Sequence, residues 1–173
     1  MKKNKQMKPQ DVVLLLKIIS ENNPKWEQKP MAEALEMSQS EISESVARSK
    51  FAGLLDVKGK SVMRYAFMEF LEHGISYVFP QQPGAMARGI VTAHSAFPLN
   101  KLIISNEVYV WPFGKGTDRG FAIDPLYSSV PKAVLKDAYL HELLALVDAI
   151  RVGRAREKEL AVLELKKRFN IGE

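Results

Sequence analysis

The first apolar run of the chain, Val12, Val13, Leu15, Leu16 and Ile19, recurs at helical spacing behind Pro9. That spacing predicts a helix from near Pro9, and proline is tolerated in a first turn. The polar run Glu21-Asn22-Asn23-Pro24 ends it. A short second helix is predicted from about Pro30 to Leu35, followed by a turn over Glu36-Met37-Ser38. Ser38-Gln39-Ser40-Glu41 reads as a capping box: the Ser38 hydroxyl accepts from the Glu41 amide, and the Glu41 carboxylate reaches back. The helix that this box opens runs to about Ala52, and Gly53 closes it. One short strand over Leu54–Val57 and a helix from about Val62 to Glu72 follow, with His73-Gly74 at its end.

After Gly74 the texture changes. Pro80, Pro83, Pro98, Pro112, Pro125 and Pro131 alternate with Gly84, Gly89, Gly114, Gly116 and Gly120. Long helices do not survive that spacing. Leu102–Ser105 and Val108–Trp111 are β-rich and flank Asn106-Glu107, which predicts a hairpin. Gly120–Ile123 adds a strand. Regularity returns at Asp137, a plausible N-cap, with the stripe Leu140, Leu143, Leu144, Val147 and Ile150. Gly153 separates this helix from a last one that ends near Phe169. The expected architecture is α+β and mostly α. It has a basic disordered tail over 1–8, a helix-turn-helix bundle over 9–74 with a reduced or absent wing, and an α+β half over 75–173. That half holds a small hairpin and two long helices, and serves dimerisation, sensing or interaction.

The segment Pro30–Leu55 carries a specific packing pattern. It reads Met31-Ala32, Leu35, Met37-Ser38, then Ser40-Glu41-Ile42-Ser43, Val46, Arg48 and Ala52-Gly53-Leu54-Leu55. Ala32 is small where two helices cross, and Met31, Leu35, Met37, Ile42 and Val46 fill the space between them. The pattern resembles the helix-turn-helix of bacterial DNA-binding regulators of the MarR-like and related winged-helix kind. The resemblance covers residues 9–73, under half of the chain. Glu36 stands where that family has glycine, Ser49 where it has a large apolar residue, and Asp56–Ser61 is short for a wing. The resemblance implies that the helix over 38–52 reads the major groove. Gln39, Ser40, Ser43, Glu44, Ala47 and Arg48 then point outward, with Gln matched to adenine, Arg to guanine and Glu to cytosine. The tail lysines with Lys29, Lys50, Lys58 and Lys60 would meet backbone phosphates.

Composition sets limits on this reading. The chain has 173 residues, 46% hydrophobic and 26% charged, enough apolar material for a buried core. The absence of cysteine rules out disulfides, a thiolate nucleophile and thiolate metal ligation. No run approaches the roughly 20 apolar residues that span a bilayer. Lys17 interrupts the first apolar stretch, and no small-residue cleavage site follows it, so no signal peptide is expected. A cytoplasmic protein away from membranes is the expectation. The net charge is +5. The excess sits at the ends: Lys2, Lys3, Lys5 and Lys8 at one, and seven basic residues against three glutamates over Arg151–Arg168 at the other. Residues 9–60 are close to neutral, which weighs against strong phosphate binding by that segment.

Little in the chain points to catalysis. His73, His94 and His141 lack ligand spacing, so neither metal nor cofactor is expected. Gly114-Lys115-Gly116-Thr117 lacks the phosphate-loop spacing. Asp118, Asp124 and Asp148 are unpaired in sequence. Arg88 and Arg119 each precede glycine; they either brace loops through backbone carbonyls or hold an anionic ligand or partner. Trp111 either packs or stacks on a ligand. The stripe Val152, Ala155, Val162, Leu165 and Phe169 either pairs across a two-fold axis or covers the hairpin. The leading expectation is a non-enzymatic, sequence-specific regulator that binds double-stranded DNA as a homodimer. The alternative is a protein-interaction module, an antitoxin-like partner of a neighbouring gene product, with an autoregulatory or vestigial helix-turn-helix. An enzyme with its site around Arg88 and Arg119 is the weakest of the three readings.

Overall fold

The computed structural model describes residues 5–172. Helix α1 (Pro9–Glu21) begins where the Asp11 carboxylate accepts from the Lys8 amide at 2.9 Å. It ends at Asn22, whose left-handed backbone (φ 47°) stops the helix. Val12 to Leu16 are all fully buried. A helix apolar on every side must be enclosed, not laid on a surface. Two partners from opposite ends of the chain enclose it: α3 (Gln39–Phe51) and α7 (Ala138–Val152). Residues 5–8 precede α1 as irregular chain; Met7 packs on the core and Lys5 lies 4.5 Å over the Phe51 ring. This part of the expected tail is therefore placed, while residues 1–4 lie outside the described residues.

Helix α2 (Gln28–Leu35) leads into Glu36, which takes the left-handed conformation (φ 55°) that glycine adopts freely. Ser38 then caps α3 by accepting from the Glu41 amide at 3.1 Å. The other half of the capping box does not form. The Glu41 carboxylate accepts instead from the Tyr127 hydroxyl at 2.6 Å. After Gly53 (φ 77°), the predicted strand over 54–57 is reduced to one antiparallel bridge, Leu55 to Val62. A turn held by Asp56 joins its two sides. Helix α4 (Arg64–His73) and the short α5 (Ile75–Val78) complete the first half.

The sheet differs from the prediction. Leu102–Ser105 is not a strand, and Ile104 is fully exposed. The hairpin across Asn106-Glu107 does not form, since that pair lacks the glycine that a tight hairpin turn favours. Strand β2 (Tyr109–Pro112) instead pairs antiparallel with β1 (Met86–Val91). Strand β3 (Asp118–Ala122) pairs antiparallel with β1 and parallel with β2, so the three strands close on one another. Glycine permits this closure. A Cβ on Gly89 would lie 1.9 Å from the Trp111 carbonyl oxygen, and one on Gly120 would lie 2.4 Å from that of Val108.

The short α6 (Val130–Val134) precedes α7, whose first turn is capped by Asp137 accepting from the Leu140 amide at 2.9 Å. Gly153 ends α7, and α8 (Ala155–Arg168) folds back along it. Leu165 and Phe169 are buried within the chain, and Phe169 stacks on Phe67 of α4 at 5.7 Å. The α8 stripe thus covers α7 and α4, not a hairpin. Buried apolar residues form one cluster that runs from Val12 to Phe169, across both halves. The result is a mostly helical α+β structure with a small three-strand mixed sheet. Among the described residues, no helix is long and apolar enough to cross a membrane.

Candidate nucleic-acid interface

The inward face of α3 is polar as well as apolar. Ile42, Ser45, Arg48 and Ser49 are all buried. Opposite them, Asp11 of α1 has no exposed surface. Arg48 grips the Asp11 carboxylate with two parallel bonds, Nε to Oδ2 at 2.9 Å and Nη2 to Oδ1 at 2.8 Å. The Ser45 hydroxyl donates to the same carboxylate at 2.6 Å. This bidentate pair, with the Lys8 amide, satisfies a charge that would be costly to bury alone. The bond to Asp11 holds the Arg48 guanidinium above its ordinary basicity. Arg48 therefore does not point outward as predicted. It locks α3 to α1, and the sole polar side-chain atom buried without a partner among the described residues is the neighbouring Ser49 Oγ.

The outward face is as predicted in its other members. Gln39, Ser40, Ser43, Glu44, Ala47 and Lys50 are exposed. A groove of about 500 Å3 runs beside this face, lined chiefly by Lys5, Lys8, Ser43, Glu44, Lys50 and Phe51, and the buried Arg48 also lines it, with Nη1 3.9 Å from the Glu44 carboxylate. Lys29, at the start of α2, and Lys58, in the turn after α3, are exposed. Lys60 is engaged internally: its ammonium donates to the Trp26 carbonyl and sits 4.6 Å over the Trp26 ring. The Trp26 indole donates in turn to the Lys60 carbonyl at 2.9 Å. Of the predicted cations among the described residues, Lys29, Lys50 and Lys58 remain open to an outside phosphate, together with Lys5 and Lys8.

The segment after β3 reaches back to the same region. Tyr127 bonds Glu41 near the start of α3, and the Ser129 hydroxyl donates to the Leu35 carbonyl at 2.7 Å. Lys136 and Lys132 lie 2.7 and 3.5 Å from the Glu36 carboxylate and hold its pKa low, the hydrogen bond from Lys136 foremost. The bond to Glu41 pushes the Tyr127 phenol up to about 12. No sequence signal near α3 announces this clasp, because its members lie 86 to 100 residues away.

The candidates in the second half fall elsewhere. Trp111 is buried, and its indole donates to Asp148 at 2.6 Å, so it offers no face to a ligand. Asp148 also accepts from Thr92 at 2.7 Å and from Arg151 at 2.9 Å. Burial pushes its carboxyl up against these donors. Arg151 braces the Phe79 carbonyl at 2.9 Å, the role predicted as one alternative for Arg88 and Arg119. Those two arginines are exposed and stand opposite each other in the β1–β3 register. His94 and His141 donate to the carbonyls of Glu107 and Val91 at 2.8 and 2.7 Å, and His73 is exposed at the end of α4. No group of three potential metal ligands occurs among the described residues. No protein-family model, curated protein or solved structure matches the chain.

Proposed function

We propose that the chain is a sequence-reading regulator that binds double-stranded DNA, with α3 entering the major groove. One observation carries this reading. The Asp11–Arg48 lock and Ile42 fix α3 rigidly by one side, while Gln39, Ser40, Ser43 and Ala47 stand exposed on the other beside Lys5, Lys8 and Lys50. Hydroxyl and amide groups on a fixed helix suit base edges, and the flanking cations suit the phosphates on either side. A palindromic site would be met by a homodimer. Fluorescence anisotropy with the DNA upstream of the chain's own gene tests the reading. Clear preference over a scrambled duplex at near-physiological salt supports it. Equal and steeply salt-sensitive binding to both leaves only general charge attraction.

A second reading has its own observation. Arg48 and Lys60 are consumed internally, and Glu44 lies on the exposed face of α3. Two of the predicted base or phosphate contacts are thereby withdrawn, and a carboxylate that repels phosphate stands on the face. This favours a protein-interaction module, an antitoxin-like partner of a neighbouring gene product, whose helix-turn-helix face meets protein. Co-expression with the product of the adjacent gene, followed by size-exclusion chromatography, separates the two: a stable complex that survives nuclease treatment favours the second.

A further inference from the structure

Arg88 of β1 and Arg119 of β3 are direct cross-strand partners. Side chains so paired leave the sheet on the same face, with Cβ atoms about 5 Å apart. Each arginine precedes a glycine, Gly89 or Gly120, whose missing Cβ lets the three strands close. The glycines therefore take the crowded inner positions and the arginines the outer ones. Both arginines are exposed, and neither guanidinium has a hydrogen-bonding or ionic partner among the described residues. Of the six other arginines, four are answered within the chain, Arg48 by Asp11, Arg64 by the Phe169 carbonyl, Arg151 by Asp148 and Arg168 by Glu142 and Glu164, while Arg154 and Arg156 at the start of α8 are exposed and lie outside the sheet.

Lys115 is exposed in the turn between β2 and β3, and Gly116 beside it sits directly against the backbone of Gly89. The acid closest in sequence, Asp118, alternates to the other face and accepts from the Thr117 hydroxyl at 3.0 Å. Like charges placed opposite each other weaken a strand pair. Here the two like charges stand opposite each other with no internal counter-ion among the described residues.

We infer that Arg88 and Arg119, with Lys115 of the β2–β3 turn, form a binding site for a terminal phosphate group, a phosphate monoester or diphosphate. The chemistry favours phosphate over carboxylate. One guanidinium fork satisfies both oxygens of a carboxylate, whereas two forks and an ammonium match a dianion with three free oxygens. The group is supplied either by a nucleotide or by free diphosphate. This site does not depend on whether α3 reads DNA.

The test is calorimetric titration and thermal unfolding of the full chain with sodium pyrophosphate, ADP and malonate. It compares the wild type with Arg88→Gln/Arg119→Gln and with Arg119→Gln alone. Without ligand, the double variant melts at the same temperature as the wild type or higher, because the repulsion is gone. Pyrophosphate raises the wild-type melting temperature and binds at least tenfold more weakly to the double variant, with the single variant between them. ADP binding more tightly than pyrophosphate assigns the site to nucleotides; equal or weaker binding assigns it to free diphosphate. Equal pyrophosphate binding by the folded wild type and double variant overturns the inference, as does malonate matching pyrophosphate. It also falls if the substitutions change only the salt dependence of duplex binding, which would make the pair a backbone contact. A wild type that binds no DNA ends the regulator reading and leaves this test standing.

Discussion

Removing the Arg48 guanidinium leaves the Asp11 carboxylate in a site with no solvent, answered only by Ser45 and the Lys8 amide. Arg48→Ala should therefore cost about 3 kcal/mol in urea unfolding, the usual penalty for stranding a buried charge. Loss of DNA affinity in that variant would follow the loss of folded protein, not the loss of a base contact. Gly89→Ala is a second residue-scale case. Its methyl meets the Trp111 carbonyl oxygen at 1.9 Å, a clash with backbone that no rotamer relieves. The variant should lose about 3 kcal/mol or more, at the upper end of overpacking costs, measured by the same unfolding curve. The sequence shows which residues of α3 are polar but not which polar residues turn inward. Arg48 looks like a groove-reading residue until Asp11, the one polar member of the buried face of α1, is seen to need a cation. Trp111 reads as either packed or stacked on a ligand, and the bond from its indole to buried Asp148 decides for packing.

Helix ends were the most legible elements, because their signals are local. Ser38 and Asp137 both accept from the amide three residues on, as their spacing predicts. The sheet was less legible, since β1 is broken by Gly89 and its partners lie 19 to 35 residues away. The clasp between Tyr127 and Glu41 was not legible at all. Tyr127→Phe should cost about 1 kcal/mol, the net worth of the lost hydrogen bond. In the folded chain, one of the five tyrosines should titrate late, near pH 12, and that component should vanish in the variant's ultraviolet absorbance titration. The phenol's contribution to stability is complete below pH 10 and is lost as pH rises toward 12. At the other end of the scale, the backbone amides of Ser61 and Lys60 hold the Asp56 carboxyl low. Its contribution is present above the ordinary carboxylate range and is lost as pH falls through the lowered value. The melting temperature should fall less on acidification below about pH 4 in Asp56→Asn than in the wild type.

The two halves distinguished by composition, one of helical periodicity and one of prolines and glycines, share one hydrophobic cluster. Lys17 of α1 bonds Asp137 at the head of α7 at 2.6 Å, across 120 residues. Trp26 and Trp111 lie one in each half and are both buried. In Trp26→Phe, urea melts followed by Trp111 fluorescence and by far-ultraviolet circular dichroism should coincide. Separate midpoints would show that the halves unfold independently. Helix α1, sealed on all sides in the finished structure, also sets an order of events during synthesis. The ribosome releases α1, α2 and α3 long before α7 exists. Until α7 emerges, the flank of α1 that it covers stays open to solvent. A message truncated anywhere before α7 would therefore yield α3 mounted on an unfinished core.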